Sequence, residues 1–301
     1  MPYEEKDFKY LFLFKWMIPV TCWASVVLLF GGPFWFGLTW LWIVWGFSLL
    51  FMVVSIRQVM RLFIAVRGVR KAVNDYENRR QNSSSNAAND DQNVASPAVY
   101  HVLCVPNYKE PEELLAATLS ALAEHESARR EYIICLAMEH GEEGSDKKAE
   151  ALISKFRGSF VNMYYTSHVK QPNEMRGKLS NVDWCFMHAR ENLELMNIPV
   201  DNVLLTTLDA DAIIHELYFL EISRLWKEFG DGTRSTPSKV PREHLIFGAP
   251  GLFERNNYDV PFFTRVMDAT WAILAMQQMA STANIAFPLS NYTLSVKLME
   301  E

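Results

Sequence analysis

The chain is short of cysteine and of positive charge, and it holds little tryptophan beyond its first fifty residues. Each shortage excludes something. Its four cysteines, Cys22, Cys104, Cys135 and Cys185, show no CxxC spacing and no nearby histidine pattern. Neither a disulfide framework nor a zinc site is legible in them. The last three sit in apolar contexts and read as buried thiols behaving as small hydrophobes, a usage that agrees with a reducing compartment. A net charge of −6 and a pI near 5.7 deny the one-sided basic surface of a nucleic-acid binder, so no nucleic-acid partner is expected. Of the nine tryptophans, six fall before residue 50.

That crowding marks a bilayer anchor, because tryptophan is enriched at membrane interfaces. Residues 11–30 (LFLFKWMIPVTCWASVVLLF) and 33–56 (PFWFGLTWLWIVWGFSLLFMVVSI) are nearly continuous apolar runs. About 20 such residues span the ~30 Å hydrocarbon core. The second run has no charge, and Lys15 lies near the start of the first, where its side chain can snorkel to the headgroups. Gly31-Gly32-Pro33 reads as the turn between them. Residues 1–56 are therefore expected to form a two-helix transmembrane hairpin. Arg57, Arg61, Arg67, Arg70 and Lys71 follow the second run, Lys6 and Lys9 precede the first, and the connecting turn has no Lys or Arg. The positive-inside rule then places both ends in the cytosol. The expected localisation is an integral membrane protein with its soluble domain facing the cytosol; plasma membrane, Golgi and ER fit equally well. Residues 57–77 read as a basic amphipathic helix on the anionic leaflet. Residues 78–97, rich in Asn and Ser, cannot bury a core and read as a flexible linker.

From residue 99 the pattern changes. Val99–Val105, Tyr132–Met138, Val161–Thr166 and Val203–Leu208 are short apolar runs with the length and composition of buried strands. Helical stretches at Pro111–Ala123, 145–157, Leu179–Leu195 and 215–229 separate or follow them. Alternation of this kind predicts an α/β fold, a mostly parallel sheet flanked by helices, over residues 99–301. Residues 271–280, with Phe262, Phe263, Met267 and Trp271, are too short and too polar to span a bilayer and read as an amphipathic helix, packed on the core in preference to lying at the bilayer interface.

In such sheets ligands bind beyond the carboxyl ends of the strands. Three polar clusters fall there or on the loops leading away. Pro106-Asn107-Tyr108-Lys109-Glu110 follows the first strand and offers a ring for stacking and a carboxylate to accept hydrogen bonds. Gly177-Lys178-Leu179-Ser180-Asn181 opens a helix, with Lys178 and Asn181 three apart on one face and a lysine where a diphosphate can meet a point charge. Asp209-Ala210-Asp211 places two carboxylates at a strand exit, where a hard divalent cation is the natural partner. Each has an ordinary reading as well: a Pro-Tyr turn, a solvated helix start, a turn that holds two acids.

Taken in order, PxYxE, Glu139 at a strand end, GKxxN and DxD resemble the family 2-like glycosyltransferases of the GT-A fold, over roughly residues 99–300. The resemblance implies transfer of a sugar from a nucleotide-diphosphate donor, most often UDP-linked, with Mg2+ or Mn2+ as cofactor. It implies that Pro106, Tyr108, Glu110, Glu139, Lys178, Asn181 and Asp209 bind the nucleotide-sugar. Asp209 and Asp211 match the metal pair, Asp211 as the direct ligand and Asp209 nearer the ribose. The family more often has Asn where Lys109 stands. It also carries a Glu-Asp motif whose Asp is the general base, and often a QxxRW-like motif; neither is found here. The stretch ending in Leu294-Ser295-Val296-Lys297-Leu298-Met299-Glu300-Glu301 resembles the segment just before that acid, so the domain is expected to be C-terminally truncated, with no catalytic base assignable. The partners implied are a nucleotide-sugar, UDP-linked by the family's habit, and the lipid bilayer, with the acceptor unknown. Two alternatives stand beside the enzyme: a donor-binding remnant without turnover, and a membrane scaffold.

Overall fold

The computed structural model describes residues 11–86, 99–171, 174, 177–230, 240–249, 259–280 and 290–300. The chain divides into two compact units, Met1–Met60 and Arg61–Glu301.

The first unit holds helix α1 (Leu11–Phe36) and the start of α2 (Leu38–Asn86). Both helices are long and apolar enough to cross a membrane, and most residues from Trp16 to Val53 are exposed. The break between them lies at Gly37, not at the expected Gly31-Gly32-Pro33, which sits inside α1. Gly37 takes φ +54°, a conformation that L side chains resist, so only this glycine is required by its backbone. Gly31 and Gly32 serve close packing instead: a Cβ there would meet the rings of Trp35 and Trp40 at 2.7 Å and 2.5 Å.

α2 continues without a break into the second unit as far as Asn86, so the first residues of the expected linker are helical. The rest of that linker lies outside the described residues. The second unit then runs β1 (Tyr100–Asn107), α3 (Glu112–Ala123), the single-turn α4 (Ala128–Glu131), β2 (Tyr132–Glu139), α5 (Ser145–Lys155) and β3 (Asn162–His168). It continues with α6 (Lys178–Leu195), β4 (Val203–Thr207), α7 (Glu216–Gly230), β5 (Phe247–Gly248), α8 (Phe262–Gln278), β6 (Tyr292–Ser295) and α9 (Val296–Glu300). The six strands form one sheet in the order β3-β2-β1-β4-β6-β5. β1 to β4 are parallel, and β6 and β5 add an antiparallel margin.

The apolar strand runs are buried on both faces. Along β1 the side chains alternate: Leu103 and Val105 join a core layer with Leu115 and Leu119 of α3 and Leu152 of α5. Val102 and Cys104 join the opposite layer with Val182, Cys185 and Phe186 of α6. Each fully buried leucine contributes about 1.5–3 kcal/mol. Cys104, Cys135 and Cys185 are buried free thiols, as their apolar contexts imply.

This layering fixes where the strand order reverses. The chain steps from β1 to β2 to β3 through α3 and α5 on one face. It then crosses back through α6 on the other face to lay β4 on the far side of β1. β1 and β4 are adjacent and parallel, so the loops leaving their carboxyl ends start side by side, at the edge where ligands bind in sheets of this kind. Both loops turn to the α3 face, where Ile214 and Phe219 join Leu115 and Leu119. The sequence reading put the helix of residues 262–278 on the core; the structure leaves its stripe outside, with Phe263 80% exposed and only Met276 and Gln277 buried.

Candidate functional site

The DxD turn sits at this reversal. Leu208 extends the β4 pairing by donating its N–H to the carbonyl of Cys104 on β1 (3.0 Å), and the chain turns immediately afterwards. The Ala212 N–H closes the turn onto the carbonyl of Asp209 (3.0 Å), while the Thr118 hydroxyl of α3 holds the Ala210 carbonyl at 2.8 Å. Asp209 is half-buried and Asp211 is exposed on the same turn.

α6 begins opposite. The Lys178 ammonium donates to Asp209 Oδ1 at 2.6 Å and to the carbonyl of Ser290 at 3.1 Å. Asn291, just before β6, completes the arrangement: its Oδ1 accepts the Asp209 N–H at 2.8 Å. Lys178 and Asp209 are thus brought into direct contact from two separate motifs. Asn181, three residues along the helix, is placed differently. Its side chain is buried and donates to the Ala137 carbonyl of β2 at 2.7 Å, pinning the first turn of α6 against the sheet.

The β1 side is built on another network. β1 runs two residues beyond the expected Val105, so Pro106 lies within the strand, paired with Ala137, and Asn107 is its last residue. Asn107 is buried and donates through Nδ2 to Glu142 Oε2 at 2.7 Å. The same oxygen accepts the Lys109 N–H at 2.8 Å, and Lys148 of α5 bonds the other oxygen and the Glu110 carbonyl, the latter at 2.8 Å. Burial pushes the Glu142 carboxyl up, but the Lys148 ammonium, the Lys109 N–H and the Asn107 amide outweigh it and hold the group below its ordinary value. On the turn so fixed, Glu110 accepts the Tyr108 N–H, and the Tyr108 ring stands 51% exposed with the Lys109 ammonium 5.1 Å from its centroid.

Glu139, at the end of β2, is turned to β3. Both its oxygens lie 3.1 Å from His168 Nδ1, and the other ring nitrogen faces Glu174 at 3.1 Å. Glu142, Lys148, His168 and Asn291 carry no signal in the sequence: the residues of the predicted motifs that they hold, Asn107, Glu110, Glu139 and Asp209, are 29 to 82 residues away, and only the fold brings them together.

Among the described residues no group of three or more His, Cys, Asp or Glu side chains could hold a metal ion by themselves. Asp209 and Asp211 offer at most two carboxylates. That donor set fits Mg2+ or Mn2+ held jointly with ligand phosphates and water, and it does not fit an all-protein cage.

No protein-family model matches the chain, and no curated protein matches it. Among solved structures it is similar to the mannosyltransferase PcManGT from Pyrobaculum calidifontis, solved in complex with GDP-Man and Mn2+. The identity is 14% and the TM-score 0.40, over 80% of this chain and 56% of that one. The chain thus spans little more than half the length of the structure it matches, and a likeness at this level says nothing of what it binds.

Proposed function

We propose that the chain binds a nucleotide-diphosphate sugar, UDP-linked in the family its motifs resemble, and serves sugar transfer at a membrane. The observation that carries this reading is the Lys178–Asp209 contact, with Asp211 exposed beside it, at the carboxyl end of β4 next to β1. An ammonium and two carboxylates at such a strand end suit a diphosphate and its counter-ion. A cation held there would neutralise the leaving diphosphate as a Lewis acid. Asp211 would be its direct ligand and Asp209 would lie nearer the ribose. Lys178 would meet the diphosphate as a point charge, and Tyr108 would stack on the base from the β1 side.

Thermal unfolding of the full chain in detergent tests this. UDP with Mn2+ at a hundredfold excess over Kd should add about 2.7 kcal/mol of stability. Asp211→Asn should weaken the manganese-dependent part by about tenfold, as loss of one charged ligand implies. Absence of any shift with UDP or GDP, with or without Mn2+, overturns the reading. Transfer of radiolabelled sugar to membrane extracts then separates an enzyme from a donor-binding protein.

The anchor has its own test. With both ends cytosolic, the Asn82-Ser83-Ser84 sequon is never presented to luminal glycosylation. Expression in a eukaryotic host should leave Asn82 unmodified, and a glycan on it would reverse the proposed orientation.

A further inference from the structure

The turn after β1 holds a backbone conformation that its sequence does not favour. Lys109 takes φ +68°, a left-handed conformation uncommon for a residue with a side chain. Such a residue costs of order 1–3 kcal/mol and persists only where its surroundings over-determine it. Here they do. The Lys109 N–H is taken by Glu142, whose side chain is 9% exposed, and Glu142 is itself fixed by the Asn107 amide and by Lys148. Lys148 also bonds the Glu110 carbonyl, so both sides of the turn are tied to one buried ion pair.

The consequence is visible at Tyr108. Its ring is half-exposed although it is tethered by neighbours on either side: its N–H goes to Glu110, and the Lys109 ammonium lies over the ring. A left-handed residue at 109 brings that ammonium back over the preceding side chain. An aromatic ring held exposed just beyond the carboxyl end of β1 stacks on a planar partner at little entropic cost, because the ordering has already been done by the fold.

We propose that Glu142, backed by Lys148, is the positioning residue that locks the Asn107–Glu110 turn so that Tyr108 is presented to the nucleobase of the donor. This rests on the nucleotide-sugar reading and deepens it. It assigns recognition of the base to the β1 turn and leaves the diphosphate and cation to the Lys178–Asp209 side. Glu142 acts through the turn and touches no ligand itself.

The test uses two ligands that report on the two sides separately, uridine and inorganic pyrophosphate with Mn2+, titrated calorimetrically against the full chain in detergent. Glu142→Gln keeps the shape but puts an amide N–H beside the Lys148 ammonium. It should lower uridine affinity about tenfold, the scale of one charge-assisted hydrogen bond, and leave pyrophosphate–Mn2+ affinity unchanged. Lys109→Gly guards against a variant that does not fold, because glycine adopts this φ without strain. It should preserve thermal stability and still weaken uridine severalfold, since the turn is no longer confined. Native-state hydrogen exchange should show the amide of residue 109 losing protection in Glu142→Gln. If wild type binds uridine and UDP and both variants bind uridine as tightly, the positioning role is wrong while the nucleotide reading stands. If wild type binds no nucleotide, the nucleotide reading falls, and this assignment falls with it.

Discussion

Two lysine–carboxylate pairs stand at the carboxyl ends of the neighbouring strands β1 and β4, and they are built in opposite ways. Lys148–Glu142 is buried, with side chains 15% and 9% exposed, and its carboxylate also accepts an amide and a backbone N–H. Lys178–Asp209 is open, with both side chains 32% exposed, and its neighbours are a loop carbonyl and one asparagine. A buried ion pair is held by the penalty of breaking it, because the abandoned charge has no water to turn to. A half-exposed pair is held weakly and can exchange partners. The β1 end is therefore preorganised, and the β4 end is able to release its lysine to an incoming anion or its carboxylate to a cation.

The largest effect should come from breaking the buried side. Lys148→Met leaves the Glu142 carboxylate without its ammonium in a nearly dry site, and should cost about 3 kcal/mol in urea unfolding of the detergent-solubilised chain. A loss below about 1 kcal/mol would mean that water reaches Glu142 and that the contrast between the pairs is false.

A smaller effect, on the same pair, is read by acid. The Glu142 carboxyl is held below its ordinary 4.5 in the folded protein. Its contribution to stability is therefore complete above that ordinary value and is lost as pH falls through the folded one. Glu142→Gln has no proton to bind there. The wild-type stability curve should drop more steeply than the variant's on going below about pH 4.5, and the two should run parallel from pH 5 to 7. Parallel curves throughout would place the acid sensitivity in other carboxylates.

How much of this was legible beforehand follows the range of the interactions. β1, β2 and β4 were readable because both faces are buried, so their runs are apolar without alternation, whereas β3, at the edge of the sheet, is mostly half-buried and carries the weaker pattern. The antiparallel margin was not. β6 has four residues and β5 two, and each is a strand only because its neighbour is there. Asp209 and Lys178 were singled out from motif order. Their contact could not be foreseen, because it depends on α6 crossing to the face opposite α3. Glu142 and Asn291 were passed over, since an acid in an acidic loop and an asparagine before a short strand look like surface residues. Lys109 left a faint trace. The family resembled more often has Asn at that position, and Asn is among the side chains best suited to a left-handed backbone. The N-terminal turn was placed six residues early because glycine was read as permission to turn. Gly31 and Gly32 instead make room for indole rings.

The smallest effect on stability should come from the open side, and it sharpens the comparison most. Lys178→Met removes an ion pair whose partners both keep water, so unfolding should change by less than about 1 kcal/mol. Pyrophosphate binding in the presence of Mn2+ should nevertheless weaken about tenfold, because the ammonium reaches into the DxD turn. That loss should shrink as salt is raised, since an exposed charge is screened over a Debye length of ~8 Å at physiological ionic strength. The two lysines would then separate cleanly: Lys148 changes stability, and Lys178 changes affinity for the diphosphate. Were Lys178→Met to destabilise the fold as much as Lys148→Met, with pyrophosphate binding untouched, the Lys178–Asp209 contact would be a clip between α6 and β4. The DxD turn would then have lost its strongest claim to an anionic ligand.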